Sequence, residues 1–153
     1  MSCETSAEAY VQSYASAMHT AQNPEVTISS CAAALGAHYL PGLIAFIFGH
    51  QTSFPTQDKW VAIIEQHLEK FEKSGLGYDI RLARSRVESV SASSAMCFVT
   101  WKILPKNGVE DWEWENVYGY RLGQDGKEGW EFIVSDNEVA GVMQRAPAFF
   151  STT

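Results

Sequence analysis

Asp125-Gly126-Lys127-Glu128-Gly129-Trp130-Glu131-Phe132-Ile133-Val134 begins as a turn and continues as a strand. Asp-Gly tolerates the positive φ that a tight turn needs, and the aromatic and β-branched residues after it favour an extended, half-buried backbone. Trp112 to Leu122 has the same texture, so Gly123-Gln124-Asp125-Gly126 joins two strands, expected at 112–122 and 128–135. Pro105-Lys106-Asn107-Gly108 is a second hairpin signal, preceded by a strand expected at 95–104, and the same β-branched and aromatic texture from Tyr78 onward gives another at 78–90.

Upstream of Tyr78 the pattern is helical. Ala7, Val11, Tyr14 and Met18 recur at helical spacing and predict a first helix from Ser6 to Ala21. Asn23-Pro24-Glu25 supplies an N-cap, a proline suited to the first helical position and an acid for the dipole, so a second helix is expected to run to Ala37. Pro41-Gly42 ends it, and Leu43 to Phe48 reads as a buried strand that continues through a bulge or turn to Ser53. A third helix from Gln57 to Lys73 carries Trp60, Ile63, Ile64, His67, Leu68 and Phe71 on one face, with Thr56 as N-cap and Ser74-Gly75 as its stop. A short last helix is expected from Asn137 to Arg145.

Nothing divides the sequence, so residues 1–153 read as one domain. Its 11 basic against 18 acidic residues give a net charge of -7, which repels phosphate backbones and anionic bilayers; neither nucleic acid nor membrane is an expected partner. Cys3, Cys31 and Cys97 cannot all pair and form no Cys-x-x-Cys motif, and Met1 to Glu8 has no signal-peptide pattern. The expectation is reduced thiols in a cytoplasmic protein.

Helices followed by long strands make an α+β domain: a cone-shaped, curved, mixed or antiparallel sheet wrapped around three N-terminal helices, with a short C-terminal helix. The order of elements, together with Gly129-Trp130 followed by alternating residues to Val134, resembles the nuclear transport factor 2-like superfamily. That superfamily includes SnoaL-like cyclases, ketosteroid isomerase and scytalone dehydratase. The resemblance implies a small cone, often dimeric, hosting cofactor-free acid–base chemistry or simple binding. Similar proteins act in fungal natural-product pathways as isomerases, cyclases or rearrangement catalysts.

Residues two apart on a strand share a face. Trp112, Trp114, Asn116, Tyr118 and Tyr120 form an aromatic inner face, matched on the next strand by Trp130, Phe132 and Val134; continued alternation adds Asp136. Tyr14 and His67 are placed to face them from the helices, Trp101, Trp114 and Phe132 to shape the cavity, and His38 with Tyr39 to line its mouth. Both faces of the strand from Ala95 are apolar, which predicts a homodimer through the outer sheet face.

Asp136 is the expected acid/base group, its carboxylate partly desolvated by Trp130 and Phe132, and Tyr118 the expected donor to a substrate oxygen. The alternative for Asp136 is structural, since Ser135-Asp136-Asn137-Glu138 has capping-box spacing. Tyr14 resembles the first-helix tyrosine of ketosteroid isomerase in position. That enzyme's base after the second helix has no counterpart, because His38 to His50 contains no Asp or Glu, and the acid beside scytalone dehydratase's first-helix tyrosine is replaced by Ser13 and Ala15. With no metal-ligand cluster, phosphate loop or nucleophile elbow, the expected activity is a cofactor-independent isomerase, cyclase or lyase acting on a small hydrophobic oxygenated molecule. A non-catalytic dimeric small-molecule-binding or assembly domain is the alternative.

Overall fold

Ten elements make up the computed structural model, which describes residues 2–150; Met1 and residues 151–153 lie outside the described residues. In chain order they are α1 (Cys3–His19), α2 (Ile28–Gly36), β1 (Tyr39–Ile47), β2 (His50–Ser53), α3 (Gln57–Lys73), β3 (Ile80–Ser89), β4 (Ser94–Ile103), β5 (Trp112–Leu122), β6 (Glu128–Val134) and α4 (Asp136–Arg145), with one 3-10 turn over Thr20–Gln22. The strands form an open six-stranded sheet in the order β2-β1-β6-β5-β4-β3. All neighbours are antiparallel except β1 and β6, which run parallel, so the fold is α+β with a mixed sheet.

The inner face carries the core. Ala95, Cys97, Val99, Trp101 and Ile103 of β4 alternate inward and are buried, opposite Trp112, Trp114, Asn116, Tyr118 and Tyr120 of β5. α1 lies across β3 and β4, and its Tyr10 and Tyr14 rings meet Trp130 at centroid distances of 4.9 and 5.7 Å, both edge-on. Edge-to-face contact puts positive ring edges on negative ring faces, which helps large aromatics pack at high density. α3 packs on α2 and β1, and α4 on β5 and β1.

Several boundaries differ from the sequence expectations. α1 begins at Cys3, capped by Ser2, whose hydroxyl accepts from the Thr5 amide at 3.1 Å. Asn23 does not cap α2: its side chain accepts from Glu25 N in a tight turn, and Thr27 takes the capping role, accepting from Ser30 N at 3.0 Å. The short polar side chain of Asn23 competes for the local amide before a helix can nucleate. β1 starts at Tyr39 and passes through Pro41-Gly42, where Gly42 at φ +83° supplies an irregularity instead of a break. The chain then turns at Phe48-Gly49 into β2, a separate strand. α3 matches its predicted span, although Thr56 makes no side-chain cap bond.

The largest departure is in β6. Gly119 pairs with Phe132 and Tyr120 with Trp130, so Glu131 is an extra residue in the ladder. Trp130 points inward and Ile133 follows it, opposite Tyr118; Phe132 lies outside, its ring filling the space where a Cβ on Gly119 would stand. Glu131 is held outside as well, by Arg121 at 2.7 Å. A one-residue bulge moves every later side chain to the other face.

Candidate active site

Between the inner sheet face, α3 and the start of α4 lies a cavity of about 320 Å³. β5 supplies Asn116 and Tyr118 to its wall, β4 Trp101, α1 Tyr14, α3 His67 and α4 Glu138. The polar groups form one connected chain. His67 Nε2 contacts Glu138 Oε2 at 2.6 Å, Asn116 Nδ2 donates to Glu138 Oε1 at 2.8 Å and to the Tyr118 hydroxyl at 3.2 Å, and Trp101 Nε1 donates to the same hydroxyl at 3.0 Å. Behind them the Tyr14 and Tyr39 hydroxyls meet at 3.1 Å.

The protonation states follow from this geometry. Burial pushes the Glu138 carboxyl up, but the hydrogen bond and charge of His67, the Asn116 amide and the nearby Trp114 indole, which makes no hydrogen bond of its own among the described residues, more than offset that and leave it below the ordinary value. A carboxylate only accepts, so the hydrogen in its contact with His67 sits on Nε2. In the neutral ring Nδ1 is then the basic nitrogen, and it has no hydrogen-bond partner among the described residues. Burial drives the Tyr118 hydroxyl far above the ordinary range, reinforced by Tyr39 and Glu138. It stays protonated, and with two N–H groups on its oxygen its own hydrogen is free to donate. Tyr39 is likewise pushed up by burial, to about 12.

This architecture recurs among solved structures. A nuclear transport factor 2-like protein of unknown function from Shewanella oneidensis superposes with a TM-score of 0.61 at 12% identity, over 84% of this chain and 93% of that one. A ketosteroid isomerase-like protein from Erwinia carotovora atroseptica gives 0.57 at 17% identity, over 83% and 89%. A Nostoc punctiforme domain of unknown function with a cystatin-like fold gives 0.61 at 13% identity, over 95% and 86%. The chain has the nuclear transport factor 2-like fold. No family model and no curated protein matches the sequence.

Within this NTF2-like cone, the residues singled out by sequence separate into two groups. Tyr118, Asn116, Trp101, Tyr14 and His67 meet at the cavity, and Trp114 lies buried behind Glu138. Asp136, Phe132 and His38 do not reach the wall. Asp136 opens α4 and its carboxylate accepts from the Phe48 amide at 3.0 Å, because the bulge at Glu131 turned the alternation that had pointed it inward. Phe132 is outside for the same reason. His38 sits in the core against Tyr10 and Tyr14, with Nε2 at 2.9 Å from the Ser13 hydroxyl and Nδ1 at 3.0 Å from Ala34 O; burial lowers its pKa despite these contacts.

Glu138 was missed. Its spacing from Ser135 is that of a capping box, yet Ser135 makes no side-chain cap bond and Glu138 turns inward. The overlooked signal is that Glu138 and the fully buried Val142 are four apart on α4, hence on one face. Phe150, stacked on His67 at 6.5 Å, and Ile63 form an exposed apolar rim. Among the described residues no three His, Cys, Asp or Glu side chains converge as a metal-binding group, and no helix is long and apolar enough to cross a membrane.

Proposed function

We propose that the cavity is the active site of a cofactor-independent isomerase, cyclase or lyase acting on a small, largely apolar, oxygenated molecule. The observation that carries this reading is the His67–Glu138 pair on the same wall as a tyrosine whose hydrogen has no acceptor among the described residues. In the proposal, His67 Nδ1 takes a proton from a carbon next to a carbonyl, Glu138 stabilises the imidazolium that forms, and Tyr118 donates to the oxygen where negative charge gathers. The acid/base role first assigned to Asp136 passes to this pair. The ketosteroid isomerase-like neighbour supports the reading as an analogy of fold only.

Two further parts of the proposal concern setting. Phe46, Met96, Phe98, Val117 and Phe132 lie half-buried on the outer sheet face and would be covered in a homodimer. The free, buried thiols of Cys3, Cys31 and Cys97 suit a cytoplasmic, reducing environment.

Hydrogen–deuterium exchange tests the activity directly. Small cyclic and aryl ketones are incubated in D₂O with the protein and followed by proton NMR. The expected result is accelerated loss of the signal beside the carbonyl for at least one ketone, reduced about 10²–10³-fold by Tyr118→Phe. If no ketone exchanges faster than in buffer, the non-catalytic binding or assembly reading replaces this one; if exchange is accelerated but Tyr118→Phe leaves the rate unchanged, Tyr118 has no part in the chemistry.

A further inference from the structure

Asn116 lacks one partner that its chemistry calls for. Both Nδ2 hydrogens are committed, one to the Tyr118 hydroxyl oxygen at 3.2 Å and one to Glu138 Oε1 at 2.8 Å. The carboxylate requires a donor there, which fixes the orientation of the amide. Oδ1 is thereby left buried and without a hydrogen bond, on a side chain only 2% exposed that forms part of the cavity wall. A buried acceptor in that state is costly unless something brings it a hydrogen.

Tyr118 has the opposite need. Its oxygen receives N–H groups from Trp101 and Asn116, so its hydrogen must find an acceptor that no described residue provides. The missing donor and the missing acceptor are close together, because Nδ2 of Asn116 touches Tyr118 and Oδ1 hangs from the same carbon. One molecule with an acceptor and a donor on neighbouring carbons satisfies both. The rest of the wall, including Ile47, Ile64, Ile133 and Trp60, is largely apolar; the Lys70 ammonium lies out over the Phe150 ring of the rim, while the ionised Glu138, bonded to Asn116 itself, disfavours a second anion beside it.

We infer that the cavity takes an uncharged hydroxy-carbonyl compound, its carbonyl oxygen accepting from Tyr118 and the hydroxyl on the adjacent carbon donating to Asn116 Oδ1. This deepens the proposed function and rests on reading the cavity as a substrate site. At about 320 Å³ the space falls within the usual range of small-molecule sites, enough for a compact one- or two-ring ligand. A site built around a ligand hydroxyl discriminates against the analogue that lacks it, because the wall acceptor then stays unpaired.

Calorimetric titration of the intact protein with three probes tests this. Benzoin is the neutral hydroxy-ketone, deoxybenzoin the same skeleton without the hydroxyl, and benzilate a hydroxy-acid anion of similar size. Benzoin is expected to bind at least about tenfold more tightly than either of the others. In Asn116→Leu, checked for native circular dichroism, the benzoin–deoxybenzoin difference is expected to vanish. Equal affinities in the unmodified protein, as when a water already satisfies Oδ1, overturn the inference without any variant; so does failure of benzoin to bind. Because binding is read apart from turnover, a protein that exchanges ketone protons but does not distinguish the pair keeps the catalytic reading and loses this one. Discrimination without exchange does the reverse.

Discussion

Glu138 is held ionised in a nearly buried position, with its side chain 15% exposed, and this ties the site to the stability of the fold. Folded, the carboxyl lies below the ordinary glutamate value, so protonating it is harder than in the unfolded chain. Its contribution to stability is therefore complete above that ordinary value and is lost as pH falls through the lowered one. Urea unfolding from neutral pH down to about pH 3 is expected to show a shallower acid loss of stability for Glu138→Gln than for the unmodified chain. Identical acid slopes would contradict that linkage. Tyr118 and Asn116 were legible in the sequence because β5 pairs with β4 without a register shift, so period-two alternation holds along it. Glu138 was not, because a pattern that ordinarily marks a surface helix start here delivers its acid to the interior.

At the scale of elements, one residue governs what could be read. Glu131 adds a position to β6 that hydrophobic alternation does not reveal, since Trp130, Phe132 and Ile133 are all apolar and either face accepts them. The changed facing extends to Asp136, which lies off the cavity wall. The same bulge explains Gly119: the Phe132 ring comes within 2.1 Å of where a Cβ would be. Gly119→Ala is expected to cost about 1–3 kcal/mol by overpacking, measured by denaturant unfolding. A cost within ~0.5 kcal/mol, the range of an ordinary surface substitution, would mean that the ring moves aside freely. α3 was legible from end to end because its apolar face and its Ser74-Gly75 stop agree, even without a cap bond from Thr56, whereas the Asn23-Pro24-Glu25 signal was overruled by a local turn and the stronger cap at Thr27.

For the whole molecule, a run of helices followed by long strands was enough to anticipate an α+β cone, and the solved neighbours share that architecture. The parallel pairing of β1 with β6 and the short edge strand β2 depend on contacts distant in sequence, which local patterning does not encode. The outer sheet face remains the proposed dimer surface. Light scattering is expected to give twice the chain mass for the unmodified protein and a single mass for Val117→Lys, with the fold retained by circular dichroism; a monomeric unmodified protein would remove the dimer from the account. The role proposed for the His67–Glu138 pair is to move a proton in the cavity. It is tested most directly by comparing ketone hydrogen–deuterium exchange in the unmodified protein and in Glu138→Gln. A fall of about 10²-fold or more with the fold intact is expected, and an exchange rate unchanged by Glu138→Gln would rule that role out.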